Sequence, residues 1–429
     1  MDQKREELYR GLEGRIGNTP LIEVQGLDLP NASRLFAKCE HKNPTESHYD
    51  RVYIHLLRQL EEQGVIIPGK HTLVETTSGN AGASLAWLCR ELGYLSIVYM
   101  PDNLPSGRVD DVKQFGAEIR LSPGEKYVRG AAEAMGEFLR TENKGKPKDL
   151  RKYFSPNHSQ HFESITPLEA IATEALRQIQ EEFHTTIDVY LPGVGNGATV
   201  LGPGRIFKEQ GIDVVTAEPF GSAMLFEMKY PGRFKEVYGV EFAESRIQHE
   251  VYGTGVPDVS FPFIERAVRG TDSQPPIVDD AFLIIDRATM AKYRRMIGAK
   301  DPSGGLGNVW TWELPPASQN EYWRQKREIR GYWDTALSLC SWEIPHFDLV
   351  AQGHHVGRSS GLCVAAAYAH AEKHGPKNYL VIFYDSLRKY EDAERAILPR
   401  TRRELQFIDQ WMMDAPPEKL EAFVRAGWM

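Results

Sequence analysis

Short runs of β-branched, aromatic and other apolar residues recur along this chain. They alternate with longer segments whose apolar positions return at helical spacing. The runs at 35–38, 72–75, 95–100, 189–191, 214–218 and 379–384 predict strands, and the segments 80–92, 128–139, 167–183 and 361–374 predict helices. Strands that alternate with helices of this length belong to α/β proteins with parallel sheets. The stretch Tyr379-Leu380-Val381-Ile382-Phe383 is apolar without alternation, as for a strand covered on both faces.

Several predicted strand-to-helix joints are built from glycine and small polar residues. Thr77-Ser78-Gly79-Asn80 leaves one strand and opens one helix, and the 193–199 stretch does the same farther along. A helix entered through such a turn presents unpaired backbone N–H groups and the positive end of its dipole, which together bind anions. Two such joints in separate halves predict a ligand held between two α/β domains.

With 429 residues, 41% of them hydrophobic, the chain is long enough for two or three domains of roughly 100–200 residues. Its net charge of −8 gives a polyanion no electrostatic support, so nucleic acid is not an expected partner. Cys39, Cys89, Cys340 and Cys363 form no C-x-x-C pair, which argues against a zinc ribbon or dithiol site and fits a reducing compartment. The opening MDQKREELYR lacks the apolar stretch of a secretory signal, and no run of about 18 apolar residues occurs. A cytoplasmic protein without a membrane span is expected.

The 296–347 region departs from the α/β pattern. Trp310, Trp312, Trp323, Trp333 and Trp342, five of the eight tryptophans, fall there among charged residues and prolines. The segment reads as an inserted subdomain or dimer-contact element, or as an aromatic wall over a cleft, because tryptophan buries much area at low entropy cost. The 401–429 tail reads as helical.

A series of motifs then follows in one order. It comprises Ile16-Gly17-Asn18-Thr19-Pro20-Leu21, then Lys38-Cys39-Glu40 with Asn43-Pro44-Thr45, then Glu75-Thr76-Thr77-Ser78-Gly79-Asn80-Ala81-Gly82. Gly193-Val194-Gly195-Asn196-Gly197-Ala198-Thr199, Ala217-Glu218-Pro219 and Gly253-Thr254-Gly255-Val256-Pro257 come next. Ser359-Ser360-Gly361 and Asp385-Ser386 with Arg388 and Tyr390 close the series. From about residue 14 to 392 the chain resembles the cysteine-synthase and cystathionine-synthase group of pyridoxal-phosphate (PLP) enzymes, which share the tryptophan-synthase β-like fold type II.

That resemblance implies a PLP cofactor, a small amino-acid substrate, β-elimination or β-replacement chemistry, and a homodimer. It assigns the cofactor phosphate to Gly195, Asn196, Gly197, Ala198 and Thr199, where small residues let backbone amides approach a dianion. Ala198 stands where the family usually has glycine, and would forbid a positive φ there. Asn80 is assigned to the cofactor's ring oxygen, Ser359 to its pyridine nitrogen, and Thr77, Ser78 and Gly79 to the substrate α-carboxylate. A neutral hydroxyl at the ring nitrogen moderates the electron sink and favours β-elimination and replacement over transamination. Ala81 replaces the usual second threonine and removes one hydroxyl from the carboxylate site. Without the family, the first loop is a helix N-cap, the second a strand–helix turn, and Ser359 a cap for the helix from Gly361.

The decisive departure falls in Asn43-Pro44-Thr45-Glu46-Ser47-His48-Tyr49-Asp50-Arg51. The family reads N-P-x-G-S-x-K-D-R here, and its lysine binds PLP as a Schiff base. This chain has Tyr49 in the lysine's place and Glu46 for the glycine. A phenol cannot form an imine, so PLP is expected to be held non-covalently, with Tyr49 or His48 moving the Cα proton. The ordinary tyrosine pKa of about 10 makes it an unready base, whereas that of histidine, about 6.5, is better matched. Alternation of side chains would point His48 away from Tyr49's side. Lys38 and Lys42 are the nearby amines. A rival reading stays open, in which the protein is a catalytically silent homologue that binds a ligand or partner in the retained cleft.

His158 and His161 have H-x-x-H spacing but no accompanying carboxylate pair, so no metal site is expected, and His161 reads as structural. Gly195-x-Gly197 lacks the third glycine of a dinucleotide fingerprint. The predicted architecture is α/β, in two domains with twisted, mainly parallel sheets flanked by helices. Residues 1–44 and 156–400 form the larger cofactor-phosphate domain, with 296–347 inserted; 45–155 form the smaller substrate-loop domain.

Overall fold

The computed structural model describes residues 2–147, 150–238, 249, 251–255, 261–284 and 342–390. Cys340, Val256, Pro257, the 401–429 tail and the Trp-rich segment up to residue 341 lie outside the described residues.

Helix α1 (Gln3–Glu13) begins at Asp2, whose carboxylate accepts the Arg5 amide. Strand β1 (Leu21–Glu23) pairs antiparallel with β2 (Arg34–Lys38). Helix α2 (Tyr49–Glu62) buries Val52, Tyr53, Leu56, Leu57 and Leu60, a stripe at the spacing of one helix face. Next come β3 (Thr72–Thr76), α3 (Asn80–Leu92), β4 (Leu95–Pro101), α4 (Ser106–Lys113), β5 (Glu118–Ser122), α5 (Tyr127–Glu142) and β6 (Tyr153–Phe154). Helix α6 (Thr166–Phe183), β7 (Val189–Tyr190), α7 (Ala198–Glu209) and β8 (Asp213–Pro219) continue the alternation. The short α8 (Met224–Lys229) and α9 (Arg233–Tyr238) precede α10 (Pro262–Arg269), β9 (Asp280–Ile284), α11 (Glu343–Ala351), α12 (Arg358–Lys373) and β10 (Asn378–Ile382).

The strands form two sheets. The larger has the order β1-β2-β10-β7-β8-β9 and is parallel except for β1. The smaller, β5-β4-β3-β6, is parallel throughout. This is the α/β architecture of mainly parallel sheets that the strand–helix alternation predicts. Because β10 lies beside β2, the segment after β10 meets the loop after β2, and Ser47 bridges to Asp385. Helix α12 is buried from Arg358 to Ala371, and its alanines at 365–367 keep it slim enough to lie in the larger core.

One large core covers the six-stranded sheet, and a second gathers around α2, α3 and β3. Helix α1 joins the second through Tyr9 and Leu12, which pack with Tyr53, Leu57 and Leu88. This corrects the expectation that residues 1–44 travel together with the larger sheet. The inward residues of α1 find their apolar partners on α2, whereas only the segment from Leu21 onward reaches the larger core. Tyr49 packs against both cores and so stands at their junction.

A buried ionic network fixes the start of α2. Arg51 donates to both oxygens of Glu40 (2.8 and 2.9 Å) and to both of Glu174 (2.7 and 2.8 Å). Lys38 donates to Glu174 at 2.7 Å and to the Thr19 hydroxyl at 2.8 Å. The Asn43 side chain accepts the Gly17 amide, and Glu174 accepts that of Asn18, so the I-G-N-T-P-L segment is tied to the same charges. Cutting one member out of such a network strands a buried charge, which costs about 3–5 kcal/mol.

Candidate active site

A cavity of about 520 Å³ opens where the first residues of α2, α3, α5, α7 and α12 converge. Helix N-termini and the carboxyl ends of parallel strands meet there, the usual ligand position in α/β sheets. Of the residues singled out in the sequence, His48, Tyr49, Thr77, Ser78, Asn80, Gly195, Asn196, Thr199 and Ser359 line it. Gly79, Gly197 and Ala198 lie behind the wall and act on its shape.

The loop between β7 and α7 forms an anion cradle. Gly197 has φ +89°, and a Cβ there would come within 2.7 Å of an Ile264 side-chain carbon, so only glycine fits. Gly195 lies so close to its neighbour that a Cβ would reach the Gly253 carbonyl oxygen at 2.7 Å. The positive φ that alanine was expected to obstruct therefore falls at 197, and Ala198 sits comfortably as the first residue of α7. The Ala198 amide donates to the Asn196 side-chain oxygen at 3.0 Å. The Asn196 Nδ2 is buried without a partner, and the Thr199 hydroxyl contacts the Tyr384 phenol at 3.2 Å.

The turn between β3 and α3 is organised from within. The Thr77 hydroxyl accepts the Gly79 amide at 3.0 Å, so that amide is engaged within the turn. The buried Arg108 donates to the Ser78 carbonyl at 2.7 Å and to Asp385 at 3.0 Å, placing a cation beneath the turn. Asn80 donates from Nδ2 to Asp385 at 2.8 Å and accepts Lys389 at 3.0 Å. One hydrogen of Nδ2 remains for a ligand. Ser359 belongs to the first turn of α12, whose N-cap is Gly357. Its side chain faces the cavity and does not close the helix end.

Tyr49 occupies the first position of α2, and His48 is the N-cap residue with helical φ and ψ of −60° and −17°. Their rings lie 4.2 Å apart at 36°. The expectation that His48 points away from Tyr49 is therefore overturned, because the chain is already turning into a helix and strand alternation does not apply. Burial, with the Glu75 carboxylate nearby, pushes the Tyr49 phenol up to about 12. Burial pushes the His48 imidazole down to about 4, and its Nδ1 has no partner. No lysine lines the cavity among the described residues: Lys38 is held by Thr19 and Glu174, and Lys42 is exposed.

Residues 12–275 match the family described as Pyridoxal-phosphate dependent enzyme. The chain belongs to that family. It is 32% identical over 241 residues to a cysteine synthase of Staphylococcus aureus, covering 55% of this chain and 73% of that one. It is 30% identical over 312 residues to cysteine synthase 2 of Schizosaccharomyces pombe, covering 69% and 73% of the two chains. A solved cysteine synthase from Entamoeba histolytica has the same fold, with TM-score 0.63 and 22% identity across 96% of this chain and 98% of that one. An O-ureido-L-serine synthase is similar in fold, with TM-score 0.60 and 20% identity across 88% and 92%. The architecture is thus that of a cysteine-synthase-like, fold type II PLP enzyme.

The family implies PLP, and the residues present fit its phosphate and ring. The unpartnered Asn196 Nδ2 is a donor awaiting an acceptor, and the cradle would be filled by a Cβ at 195 or 197. Gly195, Asn196 and Thr199 would hold the phosphate, Ser359 the ring nitrogen and Asn80 the ring oxygen. Among the described residues that line the cavity, position 49 offers a phenol and no lysine offers an amine.

Sequence reasoning left Glu75 and His158 without a role. Glu75 ends β3 among apolar neighbours, and His158 carries only the H-x-x-H signal, whose partner His161 is exposed. In the fold both line the cavity, with His158 Nδ1 at 3.1 Å from a Glu75 oxygen. Arg108 was missed as well, since nothing in its surrounding sequence announces that Asp385 and Tyr390 will meet it.

Proposed function

We propose that this protein carries out PLP-associated β-elimination or β-replacement on a small amino acid, with the cofactor held non-covalently. One observation carries the reading: a single cavity gathers the anion cradle, Ser359 and Asn80 around a phenol at the family's lysine position. When bound, PLP supplies an electron sink for charge developing beside the substrate carboxylate.

The chain's own residues supply the rest. Backbone amides at the start of α7, with the Asn196 amide group and the Thr199 hydroxyl, hold a dianion at a helix N-terminus. Ser359 offers the ring nitrogen a neutral hydroxyl, and Asn80 gives its remaining Nδ2 hydrogen to the ring oxygen. Thr77 and Ser78, over the Arg108 guanidinium, receive the substrate carboxylate; Gly79 keeps the turn in shape. Tyr49, pushed up to about 12, is a protonated phenol at neutral pH and acts as a hydrogen donor. His48, pushed down to about 4, is a neutral imidazole packed against it. A homodimer in the cytoplasm belongs to the same proposal.

The test is an absorbance titration of the purified protein with PLP, followed by candidate amino acids. Saturable PLP binding with an amino-acid-dependent spectral change and product release supports this function. Binding with no response to amino acids favours a silent, ligand-binding homologue, and absence of PLP binding removes the cofactor from the reading.

A further inference from the structure

Chemistry at the carbon beside a carboxylate needs a group that takes up a proton and returns it, and such a group works best near the operating pH. Neither residue at the lysine position is so placed, with His48 down at about 4 and Tyr49 up at about 12. A third ring touches the same spot. The His158 imidazole meets the Tyr49 ring edge-on, with centroids 5.2 Å apart, and lines the same cavity.

Its hydrogen bonds define which nitrogen is basic. Glu75 accepts the Thr76 amide at 3.0 Å on one oxygen, and its other oxygen accepts the Tyr53 hydroxyl and the His158 backbone amide at 3.1 and 3.3 Å. His158 and backbone hydrogen bonds hold the Glu75 carboxyl below its usual range despite burial, so it is an ionised acceptor. His158 Nδ1 lies 3.1 Å from that second oxygen and 2.9 Å from the Tyr53 oxygen. With the Tyr53 hydrogen assigned to the Glu75 carboxylate, both atoms facing Nδ1 are acceptors, and this assignment puts the ring hydrogen on Nδ1. Nε2 is then bare, and it meets the Ser159 hydroxyl at 3.1 Å at the cavity wall. A carboxylate on one ring nitrogen and a second nitrogen that carries no hydrogen and meets only a hydroxyl is the arrangement that orients a histidine base.

We propose that His158, oriented by Glu75, is the proton carrier that replaces the family's lysine amine, an inference that rests on the function proposed above. The Cα–H bond breaks and an N–H bond forms at Nε2. PLP, when bound, would supply the sink for the electron pair, and Glu75 would balance the imidazolium. The same proton then returns to carbon or leaves with the departing group. Glu75 is a positioning residue, Tyr53 keeps Nδ1 protonated, and Tyr49 and His48 are the other titratable groups facing the ring.

Three measurements on the full chain test this. PLP absorbance titration of the wild type, His158→Gln and Glu75→Gln is expected to give affinities alike within roughly threefold, since neither residue belongs to the cradle. With PLP bound, NMR of L-alanine in D₂O is expected to show loss of Cα hydrogen exchange by about 10²–10⁴-fold in His158→Gln. Added imidazole is expected to restore exchange in His158→Gly. The two-bond ¹H–¹⁵N NMR pattern of the His158 ring, assigned by its absence from His158→Gln, is expected to show the ring hydrogen on Nδ1 in the wild type. Exchange that persists in His158→Gln with PLP bound overturns the proposal. A wild type that binds no PLP, or binds it and exchanges no Cα hydrogen, overturns the proposed function instead, and a ring hydrogen found on Nε2 removes the dyad on its own.

Discussion

The Tyr49 phenol stands edge-on to the His158 imidazole, with ring centroids 5.2 Å apart and planes at 90°. His48 lies at 4.2 Å and 36° from the same ring, so the phenol packs against two imidazoles at the junction of two cores. Tyrosine at this position is therefore part of the packing as well as a missing amine. An aliphatic ammonium put there would lose two aromatic contacts, each worth about 0.5–1.5 kcal/mol beyond burial.

Tyr49→Lys tests whether the remainder of the site is intact. The cradle, Ser359 and Asn80 are untouched by the change, so the variant is expected to take up PLP covalently at position 49. Borohydride reduction followed by mass spectrometry should find the cofactor attached in the variant and not in the wild type. Urea unfolding should show a loss of about 1–3 kcal/mol from the broken ring contacts. Attachment at some other residue, or none, would mean that the cavity does not orient the cofactor as a family member does.

The cradle makes a sharper contrast between neighbours. Gly197→Ala must place a Cβ 2.7 Å from an Ile264 side-chain carbon and 2.9 Å from its backbone nitrogen, at φ +89°. Its affinity for PLP, followed by absorbance, is expected to fall at least about tenfold as the loop shifts out of register, with stability lowered by about 1–2 kcal/mol or more. Ala198→Gly changes a residue with ordinary helical geometry, so it is expected to keep PLP affinity and lose about 1 kcal/mol at most. Equal effects from the two substitutions would remove the conformational argument for the cradle.

These residues also mark how far the sequence could be read. Helix α3 appears at 80–92 as its small-residue and apolar pattern predicts, and the strands at 72–76 and 95–101 follow from their β-branched runs. The cradle was legible because Gly195 and Gly197 answer a backbone requirement that shows in sequence. The Glu75–His158 pair was not, because its members lie far apart in the chain and meet only when β3 packs beside β6 and the 157–160 loop folds back. Helix α1 was placed with the wrong core for a related reason: position along the chain says little about which of two apolar faces a terminal helix will choose.

Glu46 shows a local rule broken and compensated. It stands where the family has glycine yet keeps a left-handed φ of +56°, and its carboxylate accepts Arg388 at 2.8 Å. The conformation costs an L-residue about 1–2 kcal/mol, while a partly exposed ion pair returns about 0–1 kcal/mol. Glu46→Ala keeps the strain and loses the pair, whereas Glu46→Gly loses both. Urea unfolding should therefore rank Glu46→Gly above Glu46→Ala by about 1 kcal/mol. The reverse order would show that the backbone at 46 relaxes once its side chain is gone.

His48 gives the acid limb of stability a specific cause. Burial holds its imidazole down at about 4, against about 6.5 in the unfolded chain. Above pH 6.5 both states are neutral and the group is silent, an expectation set by the unfolded value of about 6.5. Between that value and about 4 the unfolded chain binds a proton that the folded protein refuses, so stability is lost as pH falls. The loss attributable to this one ring is about 2–3 kcal/mol on going from pH 7 to about 4.5. His48→Asn removes the titration and leaves a residue suited to a helix N-cap. Its urea-derived stability should fall less over this interval than that of the wild type, by about that amount. The remaining slope belongs in part to His41 and His370, which burial pushes down to about 4 and about 3. Parallel curves for the two proteins would mean that water reaches the His48 ring in the folded state.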